Sequence, residues 1–190
     1  MKDKYRYLII FLVIFILFLF FSSLSSEQRV VYTQKAGYKN LVEDVIPRGD
    51  VNDDIFWDAT RKITPSPEWT KVKDYNMKDF YAVKTPIGDY GSPRTKASFK
   101  NLYARKLVNI KTLENRIYTL RIASDEGADV FINGEKVLSM VGDEHLFDYW
   151  NYEIEVTPYL KQGINIIAIH VLNNKGNCYF DAELDYEISK

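Results

Sequence analysis

The chain has 190 residues with 25 basic and 26 acidic side chains, two histidines and one cysteine. A formal net charge of −1 gives no strong pull toward nucleic acid or anionic lipid. Cys178 stands alone, which excludes an internal disulfide, so burial and sheet hydrogen bonding must hold the fold.

Residues 1–26 read as a separate segment. Lys2, Lys4 and Arg6 precede an unbroken apolar run of 14 side chains, Leu8 to Phe21. At roughly −0.3 to −0.6 kcal/mol each, these favour membrane insertion by about 4–8 kcal/mol. As a helix, Tyr7 to Leu24 would extend about 27 Å, just enough to span a hydrocarbon core. The same run suits a signal-peptide core, with Ser23 and Ser25 as the small residues of a cleavage site. Two fates therefore stand: a single-pass anchor through residues 8–24 with the C-terminal part outside, or a cleaved leader and a secreted domain. In both, the basic flank stays in the cytoplasm and the chain from Glu27 onward is exported.

The exported part is 164 residues, the size of one domain with a sizeable core. Removing the first 26 residues removes three basic groups and one acidic, leaving 22 against 25 and a net charge of −3. Residues 27–40 are expected to form a linker, with Val30 to Thr33 a candidate edge strand, and residues 41–190 the domain. Ile46-Pro47-Arg48-Gly49 is a turn signal and Ile55 to Thr60 a candidate strand. Thr64-Pro65-Ser66-Pro67 is a rigid loop ending at Trp69, and Pro86 to Pro93 a second loop with Tyr90 between Gly88 and Gly91. Leu102 to Ile110 reads as extended.

The clearest stretch is Arg116 to Leu138. Ile117 to Ala123 and Ala128 to Ile132 are β-branched and apolar, as strands are. Asp125-Glu126-Gly127 predicts a turn in which the glycine supplies conformational freedom. Asn133-Gly134 predicts a type I′ hairpin into a third strand. Val141 to Asn151 is a long connection carrying His145, Phe147, Tyr149 and Trp150. Tyr152 to Thr157 is a predicted strand, followed by a turn from Thr157-Pro158 to Gly163. Asn165 to Leu172 is apolar on both faces, which predicts a central strand. Phe180 to Ile188 alternates, placing Phe180, Ala182, Leu184, Tyr186 and Ile188 on one face and Asp181, Glu183, Asp185 and Glu187 on a wet one. Many short strands between turn signals, with no sustained helical period, predict an all-β sandwich or barrel.

Five pieces of the chain, in order, resemble the galactose-binding-like jelly-roll domains found as accessory modules of secreted glycosidases and cell-surface proteins. They are Val45-Ile46-Pro47-Arg48-Gly49 with Trp57; Thr85 to Gly91, similar to a Pro-Leu-Gly-Tyr-Gly loop; Tyr103-Ala104-Arg105-Lys106; Ser124 to Gly134; and Glu155-Val156-Thr157 through Leu160, Gly163, Asn165 and Ile167-Ala168. The resemblance implies a galactose-binding-like jelly-roll β-sandwich behind one N-terminal hydrophobic helix. It leaves the ligand open, because members of this fold bind glycans, lipids, proteins or nothing identified.

Chemistry is sparse. His145 and His170 have no neighbouring motif, and no Gly-x-Ser-x-Gly, His-Glu-x-x-His or phosphate-cradling glycine loop is present. Asp50-Val51-Asn52-Asp53-Asp54 briefly resembles a calcium loop, but Ile55 replaces the needed glycine and Arg61 the final acid. A structural calcium held by loop carboxylates stays open, and no cofactor is expected. Aromatic loop residues are the better candidates, since sugar rings stack C–H faces on them while carboxylates and amides bind hydroxyls. The candidate ligand set is Tyr149, Trp150, Asp148, Asn151 and Tyr90, weighed against the plainer role of covering the ends of the core. Trp57, inside a strand, is expected to be core. The expected function is a non-catalytic, exported surface module that binds carbohydrate. The alternative is a structural or protein-interaction domain of a membrane-anchored surface assembly with no small ligand.

Overall fold

The computed structural model describes residues 45–52, 54–72, 79–140, 150 and 152–189. The predicted leader, the 27–40 linker and the Val30 to Thr33 strand lie outside the described residues, as do Asp148, Tyr149 and Asn151 of the candidate ligand set. Among the described residues, no helix is long and apolar enough to cross a membrane.

The architecture is an all-β sandwich. In chain order the strands are β1 (Phe56–Thr60), β2 (Tyr81–Lys84), β3 (Ile87–Gly88), β4 (Thr95–Lys96), β5 (Asn101–Ile110) and β6 (Arg116–Ser124). Then come β7 (Ala128–Ile132), β8 (Glu135–Ser139), β9 (Tyr152–Glu155), β10 (Gly163–Leu172) and β11 (Tyr179–Ile188). One sheet has the order β2-β1-β5-β10-β7-β8 and the other β4-β3-β11-β6-β9. Pairing is antiparallel except between the two-residue strands β3 and β4.

Each long strand follows from its side-chain pattern. β10, apolar on both faces, is central, paired along its length with β5 and over Ile167–Val171 with β7. Ile167, Ile169 and Val171 enter the core between the sheets, with Trp57, Leu102, Ala104, Val130, Phe180, Ala182 and Leu184. Trp57 is fully buried and meets Phe180 edge-on at 5.5 Å, as its place in a strand predicted. The Asn133-Gly134 hairpin has φ of 53° and 91°, both positive as a type I′ turn requires.

The outer face of the six-stranded sheet carries a second apolar cluster. Trp69, Phe80, Tyr103 and Ala168 are buried together, with Phe131 packed against them. Trp69 stands on the short 3₁₀ turn Pro67–Thr70; it stacks on Phe80 at 6.1 Å and meets Tyr103 edge-on at 5.5 Å. The proline-rich loop thus delivers a lid residue for that face.

Four local expectations are corrected. Glu126, not Gly127, takes the left-handed conformation of the first turn, with φ 62°. The cost is offset by hydrogen bonds: Ser124 Oγ donates to the Glu126 carbonyl at 2.9 Å, and the Asn174 amide donates to the Glu126 carboxylate. The 152–157 strand stops at Glu155, because Thr157 turns into a 3₁₀ segment and its Oγ1 accepts the Tyr118 amide of β6 at 2.7 Å. Asp181 faces away from the core but not water, being completely buried.

The fourth correction concerns the 86–93 loop, which contains β3. Ile87–Gly88 pairs with Tyr179 and Phe180, and a Cβ on Gly88 would sit 2.3 Å from the Cys178 carbonyl oxygen. That glycine permits close backbone approach, a role invisible to a period-two pattern. Gly88→Ala is expected to lower stability by about 3 kcal/mol, the upper end for overpacking. Urea denaturation checks this, and a midpoint equal to wild type would show that the strand pair yields without cost.

Candidate functional site

Two surfaces of the sandwich are candidate sites. The first is the loop end predicted from the aromatics. Asp181, on β11, draws the 46–50 segment onto the sheet. Its Oδ2 accepts the Gly49 amide at 3.0 Å and the Asp50 amide at 3.2 Å, and its Oδ1 accepts the Ala182 amide at 2.9 Å. Burial pushes the Asp181 carboxyl up to about 7, against the downward pull of Thr85 and of these backbone amides.

The anchored loop presents Arg48, which donates through Nε and Nη2 to both oxygens of Asp50 at 3.1 and 2.7 Å. Arg94 Nη2 reaches the Asp50 carbonyl at 3.3 Å and ties in the β3–β4 loop. Trp150, half-buried with φ 58°, lies under Arg48, whose guanidinium carbon is 4.6 Å from the ring centroid. One face of the indole is thus occupied by a cation. Tyr90, in the β3–β4 loop, is 50 % exposed.

The second surface was missed by sequence reasoning. It is an open cleft of about 280 Å³ at the margin where β1 and β2 of one sheet approach β3 and β4 of the other. Ala59, Val83, Ile87, Ala97 and Leu102 supply apolar lining. Tyr81, 64 % exposed on the edge strand, also lines it, with Arg61, Lys62 and Lys96. Arg61 is fixed in place: Nη1 donates to the Ser98 carbonyl at 2.8 Å, and Ser98 Oγ donates to Asp89 Oδ2 at 2.7 Å. Asp89 also accepts the Cys178 amide at 2.8 Å. These bonds, the Ser98 hydroxyl's first, hold the Asp89 carboxyl below its ordinary range. The cleft joins segments near 60, 82, 87, 96 and 102; the one near 87 lies in a motif of the fold, and none carries a ligand-binding motif. Tyr81 directly follows Phe80 on a four-residue strand, and nothing in that stretch marks its side chain as exposed.

The remaining reactive side chains are held structurally. The His170 ring stacks on Tyr103 at 4.4 Å and shares a 2.9 Å hydrogen bond through Nε2 with Asn101 Oδ1. Burial lowers its pKa against the upward pull of nearby Asp129. Asp129 itself accepts from Lys136 at 2.5 Å and from Ser139 at 3.1 Å. Cys178 is buried at the start of β11, with its thiol donating to the Ala97 carbonyl at 3.2 Å and its pKa raised by burial. Among the described residues, no group of three or more His, Cys, Asp or Glu side chains is placed to hold a metal ion.

No protein-family model matches the chain, and no curated protein matches it in sequence. Solved structures do match in fold. A glycosyl hydrolase family 2 member from Bacteroides cellulosilyticus aligns at 17% identity and TM-score 0.51, over 70% of this chain and 20% of that one. A β-glycosidase from Bacteroides vulgatus aligns at 17% identity and TM-score 0.50, over 70% and 19%. An exo-chitosanase from Amycolatopsis orientalis aligns at 14% identity and TM-score 0.52, over 69% and 20%. The chain therefore spans about a fifth of the length of the structures it matches. At these identities the likeness shows the fold: this chain is a β-sandwich similar to one part of much longer glycosidase chains.

Proposed function

We propose that this chain is a non-catalytic accessory module of the galactose-binding-like type that binds carbohydrate on the outer side of a membrane. The observation that carries the proposal is the open cleft, with apolar side chains along its wall and an exposed Tyr81. A saccharide ring has the matching character, a C–H face for apolar contact and hydroxyls for the surrounding polar groups. The partial match to glycosidase chains supports a carbohydrate-related accessory role rather than a catalytic one. The charge and hydropathy of residues 1–26 support export, with residues 8–24 as the membrane contact.

The test is a glycan-array screen of the full chain in detergent, beside Tyr81→Ala, Trp150→Ala and Tyr90→Ala. Tyr81→Ala is expected to weaken selective glycan binding by about tenfold or more, ~1.4 kcal/mol, with the folded state confirmed by circular dichroism. Loss with Trp150→Ala or Tyr90→Ala instead would move the sugar to the loop end. A folded chain that binds no glycan would overturn the proposal in favour of a structural or protein-interaction domain.

A further inference from the structure

We infer that the cleft takes an acidic saccharide, one carrying a uronate carboxylate, with the anion held by Lys62, Lys96 and Arg61 and the ring against the apolar wall and Tyr81. This rests on the carbohydrate-binding reading and adds the ligand class.

The chain as a whole is at −1, yet the cleft lining contains three cations and no acidic residue. Five basic side chains elsewhere are ion-paired: Arg48 to Asp50, Lys71 to Glu68, Lys84 to Asp54, Lys136 to Asp129, and Arg121 to Glu153, Glu183 and Asp185. Among the described residues, no carboxylate lies within ion-pairing distance of Lys62, Lys96 or Arg61. Arg61 does make a neutral contact, to the Ser98 carbonyl, which orients its guanidinium without neutralising it. A concave wall lined by one sign of charge concentrates the field and favours a counter-charge there.

Shape and chemistry narrow the ligand class further. A site for a bare inorganic anion needs donors converging on a point. This cleft instead offers Ala59, Val83, Ile87, Ala97 and Leu102 beside the cations. A ligand that satisfies both must carry an apolar face and a negative group on one compact body. At about 280 Å³ the space lies just below the usual range for small-molecule sites, which suits one or two rings. A pyranose with its carboxylate at C5 has these features, the planar anion matching the fork of Arg61.

The test compares two probes that share a ring skeleton, tetragalacturonate and its fully methyl-esterified form, titrated into the full chain in detergent at low and moderate salt. The acid is expected to bind at least tenfold tighter than the ester at low salt, and that preference should shrink as salt rises. Lys62→Gln combined with Lys96→Gln should weaken the acid by tenfold or more and leave the ester unchanged. Equal binding of acid and ester would overturn the acidic preference while leaving carbohydrate binding in place. A preference for the acid that survives the double substitution would overturn the location. Equal binding of polyglutamate would overturn the saccharide class. If neither probe binds, and the glycan array is also blank for a folded chain, the carbohydrate reading fails with the inference.

Discussion

Replacing Arg105 by methionine is expected to lower stability by about 3–5 kcal/mol, the cost of removing one partner from a buried pair of charges. Arg105 is only 1 % exposed, and it lies directly opposite Asp58 in the β1–β5 register. Its guanidinium sits 3.8 Å above the Phe80 ring and donates to the Trp69 carbonyl at 3.2 Å. Burial pushes the Asp58 carboxyl up to about 6, with Arg105 the larger and Lys106 the smaller influence pulling it back. Methionine removes the larger of these and the tie to Trp69 together. The companion substitution separates the two effects. Asp58→Asn in the Arg105→Met background removes the stranded charge, so the double variant should recover most of the loss, and urea denaturation of the four proteins reads the coupling. Additive losses would show that Arg105 acts through Trp69 and Phe80 alone. The pH dependence carries the same sign. A carboxyl raised on folding contributes stability that is full below its unfolded pKa, near 4, and declines as pH rises through about 6. Without Arg105 that decline should reach further up in pH.

Arg105 also marks where the sequence stops being legible. Tyr103-Ala104-Arg105-Lys106 reads as an extended strand, and it is one, but alternation only says that Arg105 and Ala104 face opposite sides. That the Arg105 side is dry depends on Trp69 and Phe80, which arrive from a loop outside any periodic stretch. The long strands were readable because each carries its own pattern. Ala128–Ile132 is found as predicted, and β5, β6, β10 and β11 agree to within a residue or two at their ends. The short strands β3 and β4, two residues each, have no room for a pattern. Tyr81–Lys84, four residues long, is too short for an alternating pattern to stand out.

The candidate site divides in the same way. Tyr90 could be identified as a loop aromatic between glycines, and it is half exposed. Trp150 could be identified too, but not the guanidinium lying on it, because Arg48 is a hundred residues away in the chain. The cleft was not legible at all. Its cations and its apolar wall come from separate segments, and only pairing of the strands brings them together.

Asp181→Ala is expected to cost a comparable amount, about 3–5 kcal/mol. The alternation of β11 correctly turned this side chain away from the core, yet the 46–50 segment covers it. Ile46 and Leu184 exchange backbone hydrogen bonds at 2.8 and 2.9 Å beside β11, bringing the Gly49 and Asp50 amides over the carboxylate. Alanine leaves these donors, and that of Ala182, without the oxygen they now use, at about 1–3 kcal/mol for each unsatisfied group and less than additively. Gly49 has no room to adjust, since even a Cβ there would lie 2.5 Å from the Thr85 backbone. Loss of the anchor should also free Arg48 and raise the exposure of Trp150, visible as a red shift of tryptophan emission in the folded protein.

Asp181→Asn then isolates the charge. With the carboxyl raised to about 7, its contribution is full below about pH 4 and is lost as pH rises through 7. At 1.36 kcal/mol per pKa unit, that loss is on the order of 4 kcal/mol. The asparagine variant does not titrate at this position, so its deficit relative to wild type should narrow between pH 4 and pH 8. A deficit that widens instead would mean that the three backbone donors outweigh burial and hold Asp181 ionised in the native state.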